Sequence, residues 1–382
     1  MASLYGLDGP TVIACQTKNS PSYQFVSKEN QMPRRIVTED GSRFWITEYE
    51  LPTLEANEVQ IKVQLAAPKH GTEAQLITGS AFSAKQWNPE LRLFLPRPES
   101  KETPAVAPVP RGIGNMIVGE VITIGSAVTR FTVGERVFGY GQVCELLNIP
   151  EDKLFPLGAL TESDAVCCDP AHVAFVAVRD GNIRVGDDVA VFGLGAIGLL
   201  AVQIAKAGGA RRVFAVDPLA LRREHALAHG ATEVFDPLTC DAALQIKLAT
   251  EKLGVDVSIE TSGNGKALND AIRCVRQCGT VVHVPWGPKD ASALKLGEEF
   301  HHNRPTIVGS QAWVGWGNAD RSHPLWNHER AYAATIQLFR DHKLTGEGVI
   351  TPIVAFEDAP EVLPTIFTAP EKSIKIGVRL SG

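Results

Sequence analysis

No stretch constrains this chain more than Val189-Ala190-Val191-Phe192-Gly193-Leu194-Gly195-Ala196-Ile197-Gly198-Leu199-Leu200. It reads as a buried strand, a tight glycine turn and the start of an apolar helix. Gly193, Gly195 and Gly198 have the spacing G-x-G-x-x-G. That spacing suits a dinucleotide pyrophosphate: the first glycine permits the turn, the second lets backbone approach the phosphates, and the third lets helix pack on strand. Free N–H groups at the helix start, on Ala196 and Ile197, and the positive end of its dipole favour an anion there. A second apolar strand, Val213-Phe214-Ala215-Val216, ends in Asp217. That acid lies about 20 residues past the last glycine, where a ribose-binding carboxylate belongs. The uncharged run from Val189 to Ala205 is short and glycine-interrupted, whereas a membrane span needs about 20 apolar residues.

The chain has 382 residues, of which 44% are hydrophobic and 21% charged. This suits a soluble globular protein of more than one domain. A net charge of -6, with no block of lysine or arginine, argues against nucleic acid and acidic membranes as partners. Met1 to Gln16 contains Asp8 and lacks a basic start before a long apolar stretch, so no signal peptide is expected. The 7 cysteines are an odd count with no C-x-x-C pair. They read as reduced thiols and predict a cytoplasmic protein.

Beyond Gly198 strand and helix alternate. The helix runs to about Ala207 and strand Arg212–Asp217 follows. Next come a helix Leu219–His229 ended by Gly230, a short strand Val234–Phe235 and a helix Ala242–Leu253. Strand Val255–Glu260, helix Lys266–Arg276 and strands Gly279–Val284 and Thr306–Gly309 complete the series. The pattern predicts a parallel, doubly wound sheet. Earlier segments alternate at strand period, as in Glu58–Val63, Val118–Gly125 and Gly134–Gly139. The proline-rich Leu95–Arg111 reads as a long surface excursion. Trp87, Trp286 and Trp313 read as cleft walls or core packing. A helix Glu329–His342 and a last strand Ile374–Leu380 suit a return to the first domain.

Several segments, in order, resemble the medium-chain dehydrogenase/reductase superfamily. They are Pro52-Thr53-Leu54 through Val63, Gly134-Glu135-Arg136-Val137, Val185-Gly186-Asp187-Asp188-Val189, Glu224–Ala231 and Ser373-Ile374-Lys375. The resemblance runs nearly end to end and implies an α/β architecture. A GroES-like β-rich catalytic domain, residues 1–175 and 315–382, wraps around a Rossmann dinucleotide-binding domain, residues 176–314. The active site is then expected in the cleft between them, in a homo-oligomer, dimer or tetramer. Gly71-Thr72-Glu73, and Phe300-His301-His302-Asn303-Arg304 followed by Gly309-Ser310-Gln311, further resemble a bacteriochlorophyllide-dehydrogenase-like sub-branch.

Zinc-dependent members of that superfamily carry C-G-T-D, then G-H-E, then a third ligand before the nucleotide fold. Here the segments are His70-Gly71-Thr72-Glu73, Gly114-Asn115-Met116 and Cys168-Asp169-Pro170. His70 therefore stands for the cysteine, Asn115 for the histidine and Met116 for the glutamate. A catalytic zinc takes three protein ligands and an open position. Only His70 and Asp169 remain in place, and His172 offers a third ligand only in a rearranged site. The four-cysteine lobe of a structural zinc is also missing between Gly141 and Ile149. The expectation is no metal.

Alcohol oxidation by a nicotinamide needs a hydride path and a base for the hydroxyl proton. With no metal, the resemblance assigns that base to His70, whose ordinary pKa of about 6.5 suits the task. Thr72 falls at the position of the family's relay hydroxyl, and Asp169 is suited to orient the imidazole. His172 and Lys69 are second choices. Asp217 argues for NAD over NADP, because a carboxylate accepts from the ribose 2′-hydroxyl and repels a 2′-phosphate. Arg222 and Arg223 are suited either to the cofactor or to the exposed face of the next helix. Thr261 and Ser262, after a strand end, are expected to line the cofactor cleft. Lys69, Glu73, Asn115 and His301 are candidate substrate contacts, with His302 and Arg304 near them or on a solvated loop. So polar a pocket favours a hydroxyl-rich substrate such as a sugar or polyol. The leading expectation is an NAD-dependent dehydrogenase of such an alcohol, without zinc. Alternatives are an NAD(P)H-dependent enone or quinone reductase, a nucleotide-binding structural protein or redox sensor, and an enzyme using bound NAD for transient oxidation.

Overall fold

The computed structural model describes residues 32–69, 85–97, 109–287, 289–312 and 326–380. His70, Thr72, Glu73 and Trp313 lie outside the described residues.

Ten strands precede the first long helix. They are β1 (Arg34–Thr38), β2 (Phe44–Glu48), β3 (Glu58–Pro68), β4 (Lys85–Asn88) and β5 (Leu93–Pro96). After them come β6 (Arg111–Gly112), β7 (Gly114–Ile124), β8 (Arg136–Gln142), β9 (Leu146–Pro150) and β10 (Leu154–Pro156). In β3 the alternate residues Val59, Ile61, Val63 and Leu65 are buried, as a period of two requires for a strand packed on one side. Helix Cys168–Asp180 then leads to six parallel strands. These are β11 (Asp188–Phe192), β12 (Arg212–Val216), β13 (Glu233–Phe235), β14 (Val255–Glu260), β15 (Val275–His283) and β16 (Thr306–Gly309). Their order is β13-β12-β11-β14-β15-β16. All five residues of β11 are buried, because a doubly wound sheet is covered on both faces. The order reverses between β11 and β14, so a crevice opens at the carboxyl ends of these two strands. Finally β17 (Ile350–Ala355) and β18 (Lys375–Arg379) return to the first sheet, where β18 pairs antiparallel with β3.

The sheet β10-β8-β7-β3-β18-β17 and the parallel sheet share one apolar cluster. Leu65, Met116 and Phe138 of the first, Ala171 and Ala174 of helix Cys168–Asp180, and Val189, Val191 and Leu199 of the nucleotide fold all belong to it. That helix therefore sits between the two layers.

Several boundaries differ from the sequence reading. The helix expected over Ala242–Leu253 stops at Ala249. Thr250 Oγ there bonds back to the Ile246 carbonyl at 2.7 Å, and Glu251, Lys252 and Gly254 take positive φ. Helix Gly265–Cys274 passes without a turn into β15, which begins at Val275 and not at Gly279. Part of the proline-rich stretch is a strand, since β5 pairs with β4 in a hairpin. Trp87 is 43% exposed, packed on Phe94, and Trp286 is 44% exposed, so neither is core. No helix among the described residues is long and apolar enough to cross a membrane.

Candidate active site

The glycine turn has the shape of a cradle. Gly193 has φ 85, and a Cβ there would lie 2.8 Å from the Ser262 N and Cβ. A Cβ on Gly198 would lie 1.9 Å from the Gly193 carbonyl oxygen. Packing therefore demands glycine at both positions. Gly195 differs. It caps helix Ala196–Ala207 in ordinary extended backbone, and a Cβ there meets nothing within 4 Å. The helix start, with Ala196 and Ile197, thus opens on free space. Such a start, with N–H groups unspent and a positive dipole end, fits a dinucleotide pyrophosphate.

Two other strand ends close on this turn. Thr261 Oγ donates to the Gly193 carbonyl at 2.8 Å. Asp217, only 4% exposed, accepts from the Leu194 N–H at 2.7 Å and the Leu219 N–H at 2.9 Å. Arg222 is not on an exposed face: its side chain is 18% exposed, donates to the Ser373 carbonyl and lies 3.9 Å from the Asp217 carboxylate. Arg223 donates to the Asp217 carbonyl at 2.7 Å and pairs with Asp236. Both side chains are largely buried, which corrects the exposed-face reading of this pair.

Sequence reasoning missed Glu260, at the end of β14. It is fully buried, and its Oε1 accepts from the Ser262 N–H and Oγ and from the Gly263 N–H at 2.6, 2.5 and 2.8 Å. Its Oε2 lies 2.9 Å from His283 Nδ1. Glu260 thereby holds the Thr261-Ser262-Gly263 turn against Gly193. A carboxylate ending a buried strand, Val257-Ser258-Ile259-Glu260, was the available signal.

A second group of polar side chains lies where helix Cys168–Asp180 meets the end of β3. Asp169, in its first turn, is fully buried. Lys69 Nζ lies 3.0 Å from its Oδ2, and the Tyr140 hydroxyl donates to its Oδ1 at 3.1 Å. Burial, with the Asp169 charge beside it, pushes the Tyr140 phenol far above its ordinary pKa, so it stays a neutral donor. His172, one turn along the same helix, is fully buried. Its ring is edge-on to His328 at 4.8 Å and to Tyr332 at 5.3 Å. Burial, with His328 adding, lowers its pKa to about 4. Met116 is fully buried with the Tyr332 hydroxyl 3.9 Å from its Sδ. Asn115 lies opposite Pro68 in the β3–β7 register, and its Oδ1 is buried with no hydrogen-bond partner among the described residues.

The structure therefore brings Lys69, Asp169 and His172 into one region, with Tyr140, His328 and Tyr332 as members the sequence did not single out. His301 is exposed on the short helix Glu299–Asn303, edge-on to His302. Arg304 ends that helix in left-handed backbone.

Among the described residues, which do not include His70 and Glu73, the donors fit a zinc ion poorly. Asn115 and Met116 are neutral, and Asp169 already has an ammonium and a phenol on its carboxylate. Among the described residues no group of three or more His, Cys, Asp or Glu side chains stands close enough to hold a metal.

Comparison with known proteins fits this architecture. The zinc-binding dehydrogenase family matches residues 196–317. The chain is 40% identical over 346 residues to a D-guloside 3-dehydrogenase of Escherichia coli, across 87% of this chain and 96% of that protein. It is 26% identical over 362 residues to a (R,R)-butanediol dehydrogenase of Bacillus subtilis, across 87% and 96%. The crystal structure of a 2R,3R-butanediol dehydrogenase from Bacillus subtilis superposes with a TM-score of 0.69 at 24% identity, covering 91% of this chain and 99% of that one. Glycine cradle, doubly wound sheet and end-to-end similarity agree: the chain belongs to the medium-chain dehydrogenase/reductase superfamily and is an oxidoreductase that works with a nicotinamide cofactor.

Proposed function

We propose that this protein oxidises a secondary alcohol of a hydroxylated, sugar-like substrate to a ketone, with NAD as hydride acceptor and without catalytic zinc. The observation that carries the substrate class is the 40% identity, over nearly the whole length, to a D-guloside 3-dehydrogenase. The polar character of the region around Asp169 supports it. Asn115 Oδ1 is a buried acceptor in need of a donor, and a substrate hydroxyl supplies one. Preference for NAD rests on Asp217, whose carboxylate stands beside the glycine turn and opposes a 2′-phosphate.

When bound, the nicotinamide takes the hydride from the alcohol carbon. The residues of the chain do the rest. Ala196 and Ile197 offer N–H groups to the pyrophosphate, Asp217 accepts from the adenosine ribose, and Thr261 and Ser262 close the turn beside them. His70 takes the hydroxyl proton, with Thr72 as relay; both lie outside the described residues. Lys69, Glu73 and Asn115 hold substrate hydroxyls, and Asp169 and His172 shape the polar wall. We place the division between catalytic and dinucleotide-binding domains at 175/176 and 314/315, in a cytoplasmic homo-oligomer. The test is an assay of alkyl glycosides, polyols and simple diols with NAD+ and NADP+ in parallel, following reduced-cofactor absorbance. Turnover of glycosides with NAD+ is the expected result. Reduction of enones by NADPH, with no glycoside oxidised, overturns the reading.

A further inference from the structure

Asp169 has no access to solvent, yet it is a carboxylate. Such a charge is tolerated only when paired and hydrogen-bonded. Lys69 at 3.0 Å supplies the pair, and Tyr140 at 3.1 Å supplies the bond. The ammonium is in turn fixed from two sides. Asp169 holds its head. Lys375, itself 4% exposed, donates from Nζ to the carbonyls of Ala67 and Pro68 at 3.0 and 2.8 Å. Those are the two residues before Lys69, so its backbone is clamped as well. The Lys69 side chain nevertheless keeps 28% exposure. An ammonium has three N–H donors, and one on Asp169 leaves two that the pair does not use. A rigid cation thus stands next to the chain position at which zinc relatives hold their metal.

We infer that Lys69 is a catalytic residue: its ammonium binds the reacting oxygen of the alcohol and does there what a metal ion would. Asp169 and Tyr140 are positioning residues. This rests on the dehydrogenase reading above. In the step, the carbon–hydrogen bond breaks and its electron pair leaves with the hydrogen to the nicotinamide. The oxygen–hydrogen bond breaks, and its proton goes to the base assigned above to His70. The carbon–oxygen double bond forms. The Lys69 ammonium stabilises the negative charge that gathers on the oxygen as its proton leaves, the work of a preorganised donor.

The test uses the whole enzyme with NAD+ and the glycoside panel. Lys69→Met should lower kcat about 10²–10³-fold, the usual cost of losing one such donor. NADH affinity, read by fluorescence, should stay within about twofold, and Lys69→Arg should recover a large part of the loss. Added zinc should not restore Lys69→Met. If that variant fails to fold because Asp169 is left unpaired, the double variant Lys69→Met/Asp169→Asn, which removes both charges, takes its place with the same expectation. Near-native kcat in the folded variant overturns the inference, as does wild-type activity lost on chelation and restored by zinc. If the wild type oxidises no glycoside, the sugar reading fails alone, and Lys69 is judged on whichever alcohol of the panel is oxidised. Oxidation of none overturns both.

Discussion

The carboxylate of Asp217 accepts a 2.7 Å hydrogen bond from the main-chain N–H of Leu194, the residue between the first two glycines of the turn. One side chain therefore ties the end of β12 to the end of β11. On the proposed NAD preference, cofactor choice and the shape of the turn are coupled through it.

Asp217→Ser should narrow the preference for NADH over NADPH by about tenfold or more, equal to about 1.4 kcal/mol. Arg222 Nη1, 3.9 Å from the carboxylate, then becomes available to a 2′-phosphate. The loss of bonds to the Leu194 and Leu219 N–H groups should also cost about 1–3 kcal/mol of stability. Titration of both reduced cofactors and a thermal melt measure the two effects. Tighter binding of NADPH than NADH by the wild type rules out the assignment.

Gly195→Ala and Gly198→Ala should separate binding from folding. A methyl on Gly195 meets only open space. That variant should keep its Tm within a few degrees and lose about tenfold or more in NADH affinity. A methyl on Gly198 would sit 1.9 Å from the Gly193 oxygen, so the helix must shift off the strand. Overpacking of this kind costs roughly 1–3 kcal/mol or more, and Tm should fall with it. Equal melting temperatures for the two variants would contradict the geometry.

His70→Ala should lower kcat by roughly 10²–10⁴-fold, the usual cost of a lost general base, with NADH binding nearly intact. The acidic limb of the pH–rate profile should change as well. Should turnover stay near native, the base must be sought at His172.

His172 should make the fold acid-sensitive. Burial lowers its pKa from the ordinary 6.5 to about 4, so the folded state keeps it neutral while the unfolded state takes a proton. Its contribution is fully present above pH 6.5 and is lost as the pH falls from 6.5 toward 4, by about 3 kcal/mol in all. His172→Phe keeps a ring beside His328 and Tyr332 and removes the titration. The Tm of the wild type should therefore fall relative to that of the variant between pH 7 and pH 4.5. A gap that stays constant over this range would disprove it.

The six parallel strands and the turn before helix Ala196–Ala207 were legible along the chain, because each is set by neighbours a few residues apart. Buried runs such as Val189–Phe192 need no partner to be recognised as strands, and glycine at Gly193 and Gly198 is demanded by the turn itself. Asp217 was legible for the same reason, as a carboxylate at a strand end. Helix ends were less so: Thr250 and Val275 stop their helices through backbone angles that composition does not reveal. The polar region around Asp169 was only half legible. Its aligned position marked it, but its partners lie 100 residues away on Lys69 and 29 residues away on Tyr140, and Lys375 reaches Ala67 across 308 residues. Sequence by itself determined the elements, the glycine cradle and the carboxylate beside it, since local periodicity and turn chemistry act over a few residues. Only the tertiary structure decided that Asp169 faces an ammonium and a phenol and that Glu260 faces His283. Those pairings follow from strand register and from a helix wedged between two sheets, and a buried charge takes whichever partner the crossing of distant segments brings within reach.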